Sequence, residues 1–212
     1  MQRLFPILLV SSFMLCAKTL FAQWQTLKDE DGIKVEANFK DNNLLEMRAT
    51  MIADVNMHAL IKMQLEAENT PKWVYRVTHG ETVRVVNDRE RFTYFKMDMP
   101  WPIADRDLSM HTTMRYDANA KVAKVHSKVA PNNVPLNPDY ERITTAESLW
   151  TFKSLGPNKT EVTRWSLSDT NGFPKWLVKI FAGDAPYEDF QKMVDRAKQS
   201  AYQGAEVAWI GR

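Results

Sequence analysis

Apolar and polar residues alternate with period two along most of this chain, in short runs separated by turn residues. Ile33, Val35, Ala37 and Phe39 share one side of a first strand. After Asp41-Asn42-Asn43, Leu45, Met47, Ala49 and Met51 share one side of a second, with Glu46, Arg48 and Thr50 opposite. A helical interval follows. Asp54 reads as the cap of a helix over 55–68 whose Met57, Leu60, Ile61 and Leu65 form a stripe, and Pro71 ends it. Period two then returns over 73–86, 91–97, 107–116, 121–129, 142–153 and 161–168. The links at His79-Gly80, Asn87-Asp88, 117–120 and Gly156-Pro157-Asn158 are short, so consecutive antiparallel hairpins are the economical topology and a βαβ arrangement is not.

The chain closes on helical spacing. Trp176, Leu177, Ile180 and Phe181 form one stripe within 173–181, and Tyr187, Phe190, Val194, Ala197 and Ala201 form a second within 185–203. Gly183-Asp184-Ala185-Pro186 reads as a break and a new cap between them. Residues 130–139, APNNVPLNPD, are too rich in proline and asparagine to pair in a sheet and form the longest loop.

One stretch combines a forced backbone with a sharp change of polarity: MDMPWPIADRDLSMH, residues 97–111. Pro100 and Pro102 have no N–H and bias the residues before them to extended conformations, so this is a stiff crossing between two strands. By alternation Arg106 shares a face with Leu108 and Met110, which places a guanidinium at the end of an apolar surface. Its burial without a partner costs several kcal/mol.

The segment 99–107, MPWPIADRD, resembles the PWP-x-x-DRD signature of the START domains, the lipid-transfer family related to steroidogenic acute regulatory protein. The resemblance extends through Trp24 with DGIKVEANF (31–39), PKWVYRV (71–77), YERI (140–143) and NGFPKWLVKIF (171–181). It implies an α+β helix-grip fold, a curved antiparallel β-sheet wrapped around a long C-terminal α-helix with an internal apolar cavity between them. It also implies that the loop 130–139 lies at the mouth of that cavity. In steroid-binding relatives a buried arginine lies beyond the DRD where this chain has Thr112, so the resemblance does not extend to a sterol.

Residues 1–22 read as a secretory signal peptide. Arg3 opens it, residues 4–15 are apolar apart from Pro6, Ser11 and Ser12, and Leu20-Phe21-Ala22 ends on a small residue before Gln23. An uncleaved anchor is the alternative. Cys16 is the only cysteine, and Phe13-Met14-Leu15 lacks the small residue that precedes a lipid-modified cysteine. Cleavage would remove Cys16, Arg3 and Lys18, leaving a formally neutral domain over 23–212 without disulfides or a thiol nucleophile. Such a chain is expected to be exported, periplasmic or secreted, and monomeric. It has no bulk basicity for nucleic acid.

Catalytic patterns are absent: there is no Gly-x-Ser-x-Gly, His-Glu-x-x-His or phosphate-cradling loop, and only seven glycines. A four-residue turn at 117–120 would set His111 opposite His126 across a hairpin, within reach of a shared metal or proton, although two solvated histidines satisfy the same pattern. Asp105 and Asp107 flank Arg106 and offer an acid and a base, or simply stabilise the corner. Neither arrangement calls for a metal or cofactor, and none is expected.

The inferred inner faces are rich in methionine, which suits a shape-tolerant wall. The residues expected to contact a ligand are Met97, Met99, Trp101, Arg106, Met110, Thr112 and Met114 around the crossing. Trp150, Phe152 and Trp165 join them from the later strands, and Trp176, Ile180 and Phe181 from the helix. The inferred inner faces offer Arg106, Thr93, Thr112 and Thr144, with no inward carboxylate or histidine. That composition favours a carrier of a lipid or other hydrophobic small molecule, with transient membrane contact. The alternatives are an enzyme of the cyclase or aromatase kind on the same fold, and an interaction module whose cavity is plain core. If the cavity exists it should exceed ~300 Å³, and loop 130–139 should meet the 173–181 helix at its mouth.

Overall fold

In the computed structural model, which describes residues 24–40 and 42–210, Asp31 and Gly32 sit at φ of 51° and 74°. This two-residue turn folds β1 (Gln25–Glu30) onto β2 (Ile33–Phe39). The expected signal peptide lies outside the described residues. β1 was not legible as a strand because it is an edge strand, exposed along nearly its whole length, and so has no buried face to alternate.

β3 (Leu44–Ala53) leads into α1 (Met57–Leu65), which is capped by Asn56 rather than Asp54; the Asn56 carboxamide oxygen accepts the N–H of His58 at 2.7 Å. A 3₁₀ turn, Ala67–Lys72, holds Pro71, and the N–H groups of Trp73 and Val74 both bond the carbonyl of Thr70. The strand expected from 73 therefore starts only at Val77. β4 (Val77–Asn87), β5 (Glu90–Met97), β6 (Arg106–Asp117) and β7 (Val122–Val129) form an antiparallel meander. The two-residue β8 (Glu141–Arg142) makes a short parallel bridge to β6, and the expected 142–153 strand is interrupted at 143–145 before β9 (Ala146–Gly156). β10 (Lys159–Asp169) then pairs with both β9 and β3. The result is one curved sheet in the order β1-β2-β3-β10-β9-β7-β6-β5-β4.

The C-terminal helix is continuous where a break was expected. α2 (Lys175–Lys179) passes through a π-helical turn, Ile180–Asp184, into α3 (Ala185–Ala197). Pro186 has no N–H, and its ring crowds the preceding turn; the wider π turn immediately before it absorbs that conflict without ending the helix. The helix stops at Ala197 rather than near 203. Tyr202, Val207 and Trp209 are buried, and the tail turns back onto α1, where the Val207 N–H donates to His58 Nδ1 at 3.1 Å. Phe190, Met193 and Val194 of α3 pack with Leu60, Ile61 and Met63 of α1 and with Trp150 and Phe152 of β9 in the main core. α3 thus lies along the inner face of the sheet.

Candidate functional site

Between the inner face of the sheet and the end of α1 with the 3₁₀ turn after it is a cavity of about 240 Å³, to whose wall the C-terminal helix, expected to form one side, contributes no residue. It is smaller than expected, and the basic side chains Arg91 and Arg164 are part of its wall. Most of the wall is apolar: Met47, Phe95, Met97, Leu108, Met110 and Val125 come from strands, with Trp73 and Val74 from the segment after the 3₁₀ turn.

A polar row crosses this apolar surface. Arg91 pairs with Thr112, Thr112 with Ser127, Ser127 with Ser148, and Ser148 with Ser166, so five residues on five adjacent strands stand in register. All five line the cavity. The Thr112 and Ser127 hydroxyls are 2.8 Å apart and bond each other. Arg91 donates through one terminal nitrogen to the carbonyl of Leu65 at 3.0 Å. Next along the strands, Arg164 stacks over Trp150, 5.2 Å from its ring centre, and donates to Asp189 of α3 at 3.2 Å. Asp189, 3% exposed, also accepts the Tyr75 N–H at 2.7 Å. Burial pushes its carboxyl up to about 6 against the opposing pull of Arg164 and that N–H. Arg91, Arg164 and Asp189 were all missed by the sequence reading, which had found no inward carboxylate.

The PWP corner is held from the other side. The Asp105 carboxylate accepts the Met99 N–H at 2.8 Å, and Trp101-Pro102 is a cis peptide. Asp107 is fully buried on the outer face, where it accepts two bonds from Arg142 (2.6 and 2.9 Å) and one from the Tyr94 hydroxyl at 2.7 Å. Burial acts to raise the Asp107 carboxyl, but these bonds outweigh it and hold it below the usual range. Burial, with the bond to Asp107, pushes the Tyr94 phenol up to about 12. Both aspartates thus have structural partners, and neither lines the cavity.

The expected contact residues separate into groups. Met97, Met110, Thr112 and Trp150 line the cavity together. Met114 and Phe152 belong to the packed core below it, and Met99 is buried within the corner. Trp101 is 90% exposed at the corner's tip and Trp176 is about half exposed, so neither faces the cavity. Trp165 is on the outer face, between Arg48 and Leu149, because Val162, Arg164 and Ser166 take the inner positions of β10. Ile180 and Phe181 are half-buried on the π turn. Arg106 lines a separate small hollow, pairs with Glu141 and stacks on Phe173 at 5.0 Å.

Loop 130–139 is not at the mouth. The Asn133 carboxamide donates to Ser109 Oγ, and Arg142 donates to the carbonyls of Pro131, Val134 and Pro135, which fastens the loop to the outer face of β6. His111 and His126 do not meet either. The hairpin turn is one residue later than expected, so His126 faces Thr113 and His111 faces Lys128; each imidazole has its own carboxylate, Glu90 and Glu147. Among the described residues no group of three or more His, Cys, Asp or Glu side chains is arranged to hold a metal.

Three comparisons bear on this architecture. A protein of Pseudomonas aeruginosa described only as uncharacterized is 25% identical over 195 residues, spanning 91% of this chain and 96% of its own. The fold matches the crystal structure of a STAR-related lipid transfer protein fragment from Xanthomonas axonopodis, with a TM-score of 0.75 and 24% identity over 83% of this chain and 99% of that one. It also matches human STARD10, with a TM-score of 0.74 and 16% identity over 88% of this chain and 79% of that one. The sequence model of the START domain matches residues 10–202, and with the gripped helix and the PWP corner in place the chain belongs to the START domain family.

Proposed function

We propose that this protein binds a lipid or other hydrophobic small molecule in the cavity between its sheet and the end of α1 with the 3₁₀ turn that follows it, and carries it without chemical change. The observation that carries this reading is the cavity itself, a largely apolar space walled by Met47, Met97 and Met110, whose flexible thioethers tolerate ligands of different shape. Membership in the START family supports it. A carrier is favoured over an enzyme because the carboxyls at the site are already committed: Glu147, which borders the cavity, to His126 and Lys128, and Asp189, behind the wall, to Arg164 and the Tyr75 N–H.

Transfer would require brief contact with a membrane by a monomer. Trp101, almost fully exposed at the corner's tip, is suited to interfacial insertion. Among the described residues no helix is long and apolar enough to cross a membrane. The signal-peptide-like pattern over 1–22 supports export.

Native mass spectrometry of the purified mature protein, followed by extraction and identification of bound molecules, tests the reading. A stoichiometric hydrophobic adduct released on unfolding is expected. Protein that is ligand-free after expression, and that remains so after incubation with total membrane lipid, would count against a carrier.

A further inference from the structure

Seven buried side-chain N or O atoms among the described residues lack a hydrogen-bond partner, and four of them belong to residues of the cavity wall: Trp73 Nε1, Arg91 Nε, Arg164 Nε and Ser166 Oγ. Three of the four are obligate donors, and the serine hydroxyl is able to donate. Buried polar groups are ordinarily satisfied, so an excess of free donors around one space marks what belongs there: a group rich in acceptor oxygens.

Charge narrows the class. Arg164 is neutralised by Asp189. Arg91 has no ion-pair partner within 4 Å among the described residues; its hydrogen bond goes to the neutral Leu65 carbonyl. Glu147, whose residue also borders the cavity, is engaged by His126 and Lys128. The site therefore has a positive charge without a direct ion-pair partner, and burial weakens that cation's hold on its proton more than the more distant Glu68 and Asp88 carboxylates strengthen it. An anionic oxygen would relieve both the free donors and the unpaired guanidinium.

The donors are also placed to read a head group rather than a chain. Arg91 starts the register row that continues through the hydroxyls of Thr112, Ser127, Ser148 and Ser166, and Arg164 follows two residues from Ser166 on the same face of β10. Apolar residues flank this belt on both sides: Met110 towards the PWP corner, Val125 and Trp150 towards the core.

Building on the carrier reading, we propose that the belt from Arg91 to Ser166 is a head-group site for a compact anionic amphiphile, one whose carboxylate or phosphate oxygens accept from Arg91, Arg164, Trp73 and Ser166 while its hydrocarbon lies against the methionine-lined wall. A cavity of about 240 Å³ holds such a head with a short single chain; it is below the usual range for drug-sized ligands, roughly 300–1,000 Å³.

Calorimetric titration of the mature protein with four ten-carbon amphiphiles separates the possibilities: decanoate, decyl phosphate, decanol and decyltrimethylammonium. At least one of the two anions should bind tenfold or more tighter than decanol, and the cation should bind weakest. Which anion leads tells a fatty-acid-type head from a phosphate head. Arg91→Met should remove the preference for anions while leaving decanol affinity within about twofold, and Ser166→Ala should weaken the anion alone by a smaller factor. Equal affinities for the anions and decanol would overturn the head-group site and leave the carrier reading standing. No binding of any of the four would overturn both. The wild-type series does not depend on the variants folding.

Discussion

Arg142 and Asp107, thirty-five positions apart in the chain, close a two-bond ion pair in which both side chains are almost fully buried, 6% and 1% exposed. The same guanidinium donates to three carbonyls of loop 130–139, and the same carboxylate accepts from Tyr94. The second acid of the DRD is therefore a fastening that joins β6, β5 and the loop.

Removing one partner leaves an uncompensated buried charge, so Arg142→Met or Asp107→Asn should destabilise the protein by about 3–5 kcal/mol. Because the Asp107 carboxyl is held below its ordinary 3.8 in the fold, the stability it gives is present at neutral pH and is lost as pH falls below about 4. Urea unfolding of wild type and Asp107→Asn from pH 7 down to pH 3 should show the two curves converging on the acid side. Parallel curves would mean the pair is energetically silent.

Asp189 should behave in the opposite sense. Its carboxyl is raised from 3.8 to about 6, so the folded state binds an extra proton between those values and loses stability as pH rises through them. The amount is on the order of 3 kcal/mol, at ~1.4 kcal/mol per unit. Asp189→Asn keeps an acceptor for the Tyr75 N–H and removes the titration. Its stability relative to wild type should improve steadily from about pH 4 to pH 7, as read by urea midpoints. A difference that stays constant with pH would refute the assignment.

Gly80 is needed for a close approach rather than for its backbone freedom. A β-carbon there would run into the carbonyl oxygen of Ala67 in the 3₁₀ turn and would lie 3.1 Å from the ring of Phe95, a cavity residue. Gly80→Ala should lower stability by about 1–3 kcal/mol and, by displacing Phe95, also alter ligand affinity. Thermal unfolding with and without decanoate measures both effects, and an unchanged melting temperature would rule out the clash.

The corner and most strands were legible because Pro100, Pro102 and the alternation from Arg106 to Tyr116 act locally. The binding face was harder to read because its inner positions on β10 are Arg164, Ser166 and Ser168, whereas the residue there that looks like core, Trp165, faces outward. Hydrophobicity thus pointed the strand the wrong way. Counting register from Trp150 across the turn at Gly156-Pro157-Asn158 places Arg164 opposite it, and that count was the available signal. The Asp189–Arg164 contact joins a helix to a strand and leaves no periodic trace in the sequence.

With loop 130–139 fastened to the outer face, ligand exchange needs another opening. Tyr75 and Phe181 meet edge to face with ring centres 5.8 Å apart, and Phe181 in turn stacks on Phe173 at 6.3 Å, which itself lies under Arg106. This chain of rings ties the segment after the 3₁₀ turn to the π turn of the C-terminal helix and on to the start of β6. Helices kink at π turns, and Tyr75 adjoins Val74 of the cavity wall, so separation of Tyr75 from Phe181 is the opening we predict. Phe181→Ala should accelerate transfer of a pyrene-labelled fatty acid between vesicles severalfold. A bismaleimide bridge between cysteines placed at 75 and 181, with Cys16 changed to serine, should slow it. Unchanged transfer in protein shown by mass to be bridged would mean that the ligand leaves by another route.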